Sequence, residues 1–139
     1  MARLTRATAK VGDKLPTHIQ GPITRTTLAL FAGASNDHTP FHIDTDYAKA
    51  AGMDDVIAHG MLSMAYLGQL LTQAVPQERL RSWTVRFKAI TPVHATVKCT
   101  GEILEIFEQD SETRAKLRIC AVIDGDIVTL EGEAIVALD

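Results

Sequence analysis

The stretch Gly-Met-Leu-Ser-Met-Ala-Tyr-Leu-Gly-Gln-Leu-Leu-Thr-Gln-Ala-Val, residues 60–75, decides the fold. Its apolar residues fall on every side of a helical wheel, and it holds no Asp, Glu, Lys or Arg. A helix with that pattern is expected to be buried nearly all round. The rest of the 139 residues must therefore supply a cover for it.

Beyond Pro76 the period changes from helical to alternating. Trp83, Val85, Phe87 and Ala89 alternate with Thr84, Arg86 and Lys88, the pattern of a half-buried strand. Residues 97–107 and 115–122 read as two more long strands, Asp124-Gly125-Asp126 is a hairpin turn signal, and residues 127–138 form a last strand. In the other direction, residues 15–19 read as a short strand, and Gly21-Pro22 punctuates the chain before Thr24 opens a helix. Leu28, Phe31 and Ala32 give that helix one apolar stripe. Pro40 biases Thr39 away from the α region, so the helix should finish by Asn36, leaving residues 37–44 as loop. Residues 46–51 suit a short helix stopped by Gly52. The order is that of an α+β fold in one domain, residues 1–139, with an antiparallel sheet that must curl around the apolar helix. Its strand edges and remaining open face call for a partner subunit.

Composition narrows the function. Fourteen Lys+Arg against seventeen Asp+Glu give a net charge of −3, which provides no bulk attraction to nucleic acid or to an anionic membrane. No apolar run reaches the ~18 residues that span a bilayer, and the amino terminus has no signal-peptide core, so a cytoplasmic protein is expected. Arg3, Arg6 and Lys10 lend residues 1–12 only a faint likeness to a mitochondrial presequence. Cys99 and Cys120 form no CxxC pair and sit in strand-like runs, as reduced buried thiols do.

The residue types that carry chemistry crowd into Asn36-Asp37-His38-Thr39-Pro40-Phe41-His42-Ile43-Asp44 and Ile57-Ala58-His59-Gly60-Met61-Leu62. Asp37 falls just past the carboxyl end of a helix, where partial negative charge disfavours a carboxylate, and Phe31 and Phe41 should add desolvation in the same direction. A carboxyl so placed is a usable acid or base near neutral pH. His42 lies across a proline-stiffened loop, close enough to converge with Asp37 on one pocket. His38 and His42 have a metal-ligand spacing, but Pro40 between them opposes the helix it would need, and no metal site is expected. Gly60 opens the apolar helix with no Ser, Thr, Asp or Asn at positions 57–59 to cap it. An uncapped helix start without a Cβ can receive an anionic oxygen closely.

Asp37, Pro40 and His42, with Gly60 eighteen residues beyond the histidine in Ile-Ala-His-Gly-Met, resemble the hydratase 2 motif of MaoC-like (R)-specific enoyl-CoA hydratases and dehydratases. Val11-Gly12-Asp13, Val85-Arg86-Phe87 and Pro92-Val93 extend the likeness over most of the chain, which is most similar to single-hot-dog members. The resemblance implies a hot-dog fold, in which a curved antiparallel sheet wraps the long central helix. It implies reversible hydration of trans-2-enoyl thioesters, carried by CoA or acyl carrier protein, to (3R)-3-hydroxyacyl thioesters, with no metal or redox cofactor. Asp37 and His42 would act on one water, Asp37 as base and His42 delivering a proton at C2, while the Gly60 N–H polarises the thioester carbonyl. Phe41, Ile57, Met61 and Met64 would line the acyl chain, Thr39 and His59 would border the substrate, and Arg86 and Lys88, on the polar face of their strand, would meet the carrier's phosphates. The family usually has Gly before the Asp and Asn before the Pro, where this chain has Asn36 and Thr39.

Two other function classes have their own sequence tests. Hot-dog thioesterases commonly carry a carboxylate on the central helix, which residues 60–75 lack. Non-catalytic subunits of heteromeric dehydratases usually lose the Asp/His pair, which is intact here. A homodimer is expected, with a heteromer of related hot-dog chains as its alternative.

Overall fold

The alternation in the C-terminal half becomes long antiparallel strands. A computed structural model describes residues 3–139, so the first two residues of the expected domain lie outside the described residues. The elements run β1 (His18–Gln20), α1 (Arg25–Ser35), α2 (Thr45–Ala50), α3 (Gly60–Ala74), β2 (Leu80–Phe87), β3 (Val97–Gln109), β4 (Glu112–Ile123) and β5 (Ile127–Ala137). Short 3₁₀ turns occupy Pro40–His42 and Gln77–Arg79. The five strands form one antiparallel sheet in the order β1-β3-β4-β5-β2. The β4–β5 hairpin turns through Asp124 and Gly125, both at positive φ, the backbone that matches strand twist. The first expected strand is shifted: only His18–Gln20 is paired as a strand, while Lys14 makes an isolated bridge to Glu102.

Every second residue of β4, from Thr113 through Ala115, Leu117, Ile119 and Ala121 to Ile123, is buried. This face packs with Leu62, Leu67, Leu70, Leu71 and Ala74 of α3 in one core. Helix α3 touches β1, β2, β3 and β4. Strand β2 lies along it in the opposite direction. A Cβ added at Gly60 would come within 2.8 Å of the Phe87 ring, and one added at Gly68 would come equally close to Trp83. Eight residues of helix advance about 12 Å and four residues of strand about 13 Å, so the two glycines and the two rings share one spacing.

The sequence expectation for α3 needs correction. Its sides are not all covered: Met61, Ala65, Gln69 and Thr72 are exposed, Met61 at 55%. One layer of sheet curls around only part of a helix about 10 Å wide, and the residues left outside include apolar ones. The total accessible surface, 7735 Å², is correspondingly a little above the roughly 7,000 Å² expected of a monomer of this size. Both cysteines are free, and burial pushes the Cys99 thiol up to about 12.

Candidate functional site

The segment that follows α1 is built by short-range polar contacts. Helix α1 ends at Asn36, whose φ of 57° and ψ of 26° place it in the left-handed region that asparagine tolerates better than most residues. The Asp37 N–H donates to Ser35 Oγ. Asp37 Oδ1 then accepts from the Thr39 hydroxyl at 2.7 Å and from the Thr39 N–H at 3.2 Å. Pro40, with its fixed φ, starts the 3₁₀ turn, and His42 is therefore in a defined turn within the expected loop. The Ile57 N–H donates to the Phe41 carbonyl, which ties this turn to the approach of α3.

His42 is anchored from the other side of its ring. Its Nδ1 lies 2.7 Å from the Ile57 carbonyl oxygen. A carbonyl only accepts, so Nδ1 carries the hydrogen, and in the neutral ring Nε2 presents its lone pair. That Nε2 is 3.7 Å from Asp37 Oδ2. The separation exceeds a direct hydrogen bond, and a water beside the pair can touch both atoms.

Asp37 departs from the sequence expectation. Its side chain is about half exposed, and its pKa is lowered, not raised. The Thr39 hydroxyl and N–H stabilise the charged form, and the desolvation that opposes them does not prevail. The threonine that stands where the family usually has asparagine is thus the group that holds the carboxylate ionised. It also fixes Oδ1 so that Oδ2 faces His42.

His59 is 2% exposed. Its ring stacks on His42 at 3.8 Å between centroids with 22° between planes, and it meets the edge of Phe31 at 4.9 Å. Its Nε2–H donates to the Asp37 carbonyl at 3.0 Å, and its Nδ1 is buried without a partner. Burial pushes the imidazole pKa down, so the ring is neutral where His42 stacks on it. Asp37, His42 and His59 bring possible ligand atoms within 4.8 Å of one another, and His38 is not among them. The in-plane lone pairs of the two stacked rings lie in planes only 22° apart with centroids 3.8 Å from each other, so they do not converge readily on one metal ion. The geometry suits the movement of protons better than the holding of a cation.

Helix α3 begins at Gly60 with no side-chain cap, as its sequence indicated. Among the described residues the Gly60 N–H has no acceptor, while the Leu62 N–H already bonds the His59 carbonyl. A cavity of about 420 Å³ joins this helix start to His42, Ile57, Phe87, Lys88 and Ile90. It is apolar in most of its lining, and besides His42 and Leu130 its walls come from Ile57, Ala58 and Gly60 and from residues 87–91, two segments that meet where the Ala58 N–H bonds the Thr91 carbonyl.

The structure therefore brings together Asp37, Thr39, His42, Ile57, His59 and Gly60. Of these, His42, Ile57 and Gly60 line the cavity, and Asp37, Thr39 and His59 stand beside His42 outside its lining; the other expected residues belong to neither group. Phe41 packs edge-on against Tyr47, and Met61 and Met64 fall outside the lining. Arg86 faces a separate cavity of about 540 Å³ with Thr84, Arg118 and Glu131 on the other side of the sheet. The reason is alternation: Phe87 points toward Gly60, so its strand neighbour must point away. Lys88, expected beside Arg86, does line the first cavity, whereas Phe87 and the run from Ala89 to Thr91 went unrecognised as site residues. Their signal was available, because Phe87 shares the face of Trp83 and Val85.

The sheet folded around one long helix defines a hot-dog protein, with an Asp/His pair as a candidate site beside that helix's bare start. Residues 6–120 match the MaoC like domain, and the chain belongs to this family. Over 116 residues it is 30% identical to an (R)-specific enoyl-CoA hydratase of Rhodospirillum rubrum, covering 82% of this chain and 78% of that one. It is also 30% identical to the 3-hydroxyacyl-thioester dehydratase Z of Mycobacterium tuberculosis, covering 70% and 69% of the two chains. The unliganded R-hydratase of Pseudomonas aeruginosa superposes with a TM-score of 0.87 at 27% identity, over 99% of this chain and 87% of that one.

Proposed function

We propose that the protein hydrates trans-2-enoyl thioesters reversibly to (3R)-3-hydroxyacyl thioesters. The observation that carries this reading is the facing of His42 Nε2 and Asp37 Oδ2 across 3.7 Å, beside the uncapped Gly60 N–H. The similar hydratase and dehydratase chains support the substrate class. Gly60 N–H holds the thioester oxygen, which gains negative charge as an enolate forms. Asp37 and His42 hold one water against C3. As its oxygen bonds to C3, the pair takes one of its protons and returns it to C2, so the site ends as it began. Because Thr39 makes Asp37 a weak base, Nε2 is the better proton acceptor, and the carboxylate then stabilises the imidazolium. This exchanges the roles expected from the family resemblance, in which Asp37 was the base, but keeps the same two residues.

Oxygen and hydrogen come from one side, since both catalytic groups stand on the same short turn. The test is stereochemical: hydrate crotonyl-CoA and offer the product to (R)-specific and (S)-specific 3-hydroxyacyl-CoA dehydrogenases. Consumption by the (R)-specific enzyme is expected, and consumption by the (S)-specific enzyme alone would overturn the reading. The working form is a dimer of this chain. Support comes from the free edge of β2 and from exposed Met61, Phe87 and Ile90 near the site, apolar surface that a second subunit would cover. Sedimentation showing an active monomer would refute the dimer.

A further inference from the structure

One ionisable ring is buried beside the acid–base pair and takes no part in the proton steps. His59 is shielded from solvent and does not line the cavity at Gly60, so it is out of reach of a substrate held there. Its Nδ1 and the Ser63 hydroxyl, both at the opening turn of α3, are the two buried side-chain polar atoms without a partner among the described residues. An apolar ring at position 59 would fill the same space and leave no ring nitrogen unsatisfied. Packing alone therefore does not account for a histidine.

What this ring touches is the reacting pair. One face lies on His42, and its Nε2–H reaches the Asp37 carbonyl 22 positions back in the chain. The bond from His42 Nδ1 to the Ile57 carbonyl holds that imidazole by one edge, and the stack on His59 limits its tilt. Asp37 is treated alike: its bonds to Thr39 lie within the turn and travel with it, whereas the bond from His59 fastens the Asp37 main chain to the start of α3. The peptide unit that follows His59 carries the Gly60 N–H. One residue thus joins all three groups on which hydration would depend.

We infer that His59 is a positioning residue: it sets the separation of His42 Nε2 from Asp37 Oδ2, and the place of both relative to the Gly60 N–H, without touching substrate. The inference rests on the hydration reading for what the three groups do, and on the contacts of the ring for how they are held. A displacement of about 1 Å in such a set costs about 10²-fold in rate. The neutral state of the ring belongs to the same role. When His42 takes a proton, a second cation 3.8 Å away would oppose it, and a neutral ring does not.

Two substitutions separate the two contacts. His59→Phe keeps a ring against His42 and loses the N–H, whereas His59→Gln keeps an N–H at the same number of bonds from Cβ and loses the ring. With crotonyl-CoA each should lower kcat about tenfold or more and leave KM within about threefold, since the residue does not meet substrate. Ser63→Ala, which removes the other unpartnered atom of that turn, should leave kcat unchanged. The deciding measurement is a cycle: in a His42→Gln background, where the pair is already broken, His59→Phe should cost less than about twofold. Wild-type kcat in folded His59→Phe, or an equal loss in both backgrounds, would overturn the positioning role. Nitrogen NMR of the wild-type chain needs no variant and no turnover: His59 should be the neutral Nε2–H form and His42 the Nδ1–H form. A His59 ring bearing its hydrogen on Nδ1 would overturn the clamp. These two forms in a chain that hydrates no enoyl thioester would remove the hydration reading and keep the clamp, and a hydrating chain with unaltered kcat in both His59 variants would do the reverse.

Discussion

Strand β4 and the segment from Asn36 to Gly60 are built on opposite terms. In β4 every inward residue is apolar or a small buried threonine, every neighbour is a paired strand, and burial alternates without a fault over twelve residues. The segment from Asn36 to Gly60 holds a left-handed residue, a half-exposed carboxylate, two stacked imidazoles, a buried ring nitrogen without a partner and an uncapped helix start. Each of these carries a cost that uniform packing avoids. The contrast separates the part of the chain that makes the protein stable from the part arranged to react.

The largest effect should come from removing acid–base capacity at unchanged shape. Asp37→Asn and His42→Gln are each expected to lower kcat by about 10²- to 10⁴-fold while the melting temperature hardly moves. Initial rates and thermal unfolding on the same samples check both halves. Near-normal turnover in either folded variant would break the comparison from the functional side.

The matching change in the sheet is Leu117→Ala, at a fully buried β4 position. It should cost about 2–5 kcal/mol of stability and leave the kcat of the folded fraction near normal. Denaturant unfolding and active-fraction kinetics distinguish the two outcomes.

Gly60 lies where the two regions meet, and the structure changes what its substitution tests. A methyl group there would strike the Phe87 ring, not the space for a thioester. Gly60→Ala should therefore cost about tenfold or less in turnover, and the double variant with Phe87→Leu should recover part of it, because the flexible partner then yields. Gly60→Pro removes the N–H itself and should cost about 10²- to 10³-fold if that group stabilises the enolate. Ordinary activity in a folded Gly60→Pro variant would remove the oxyanion role.

Thr39→Val sharpens the comparison with a smaller effect. Loss of the hydroxyl removes the largest contribution lowering the Asp37 pKa, so that pKa should rise toward its ordinary value. The Asp37 carboxyl resonance, followed by NMR, should titrate at higher pH in the variant than in the wild type, with little change in kcat/KM at the plateau. An unmoved titration would mean that the Thr39 hydroxyl does not hold the carboxylate.

The smallest effect concerns the sheet. Arg81 and Arg114 hold Glu112 down to about 2 from an ordinary 4.5. A depressed carboxylate contributes stability that is present above its unfolded value and lost as pH falls toward its folded value. Glu112→Gln should therefore flatten the decline in melting temperature between about 4.5 and 2 and change nothing in activity. Parallel curves for wild type and variant would refute this.

Much of this molecule was legible from local pattern. Alternation in β2 to β5, the Thr24 and Asn36 helix boundaries and the absence of a cap before Gly60 depend on residues within a few positions of one another, where steric and hydrogen-bond preferences act directly. The likeness of Asp37, Pro40, His42 and Gly60 to a known motif located the candidate site. Other features depend on groups brought together across the sequence. His59 reaches the Asp37 carbonyl across 22 positions and stacks on His42, which turned an expected substrate contact into a buried clamp. Phe87 closes on Gly60 while Arg86 is turned to the opposite face. The balance of hydrogen bonding over desolvation at Asp37, and the open side of α3, were likewise set by tertiary packing. Charge state and burial depend on everything within a few ångströms, and the chain fixes those neighbours only when it has folded.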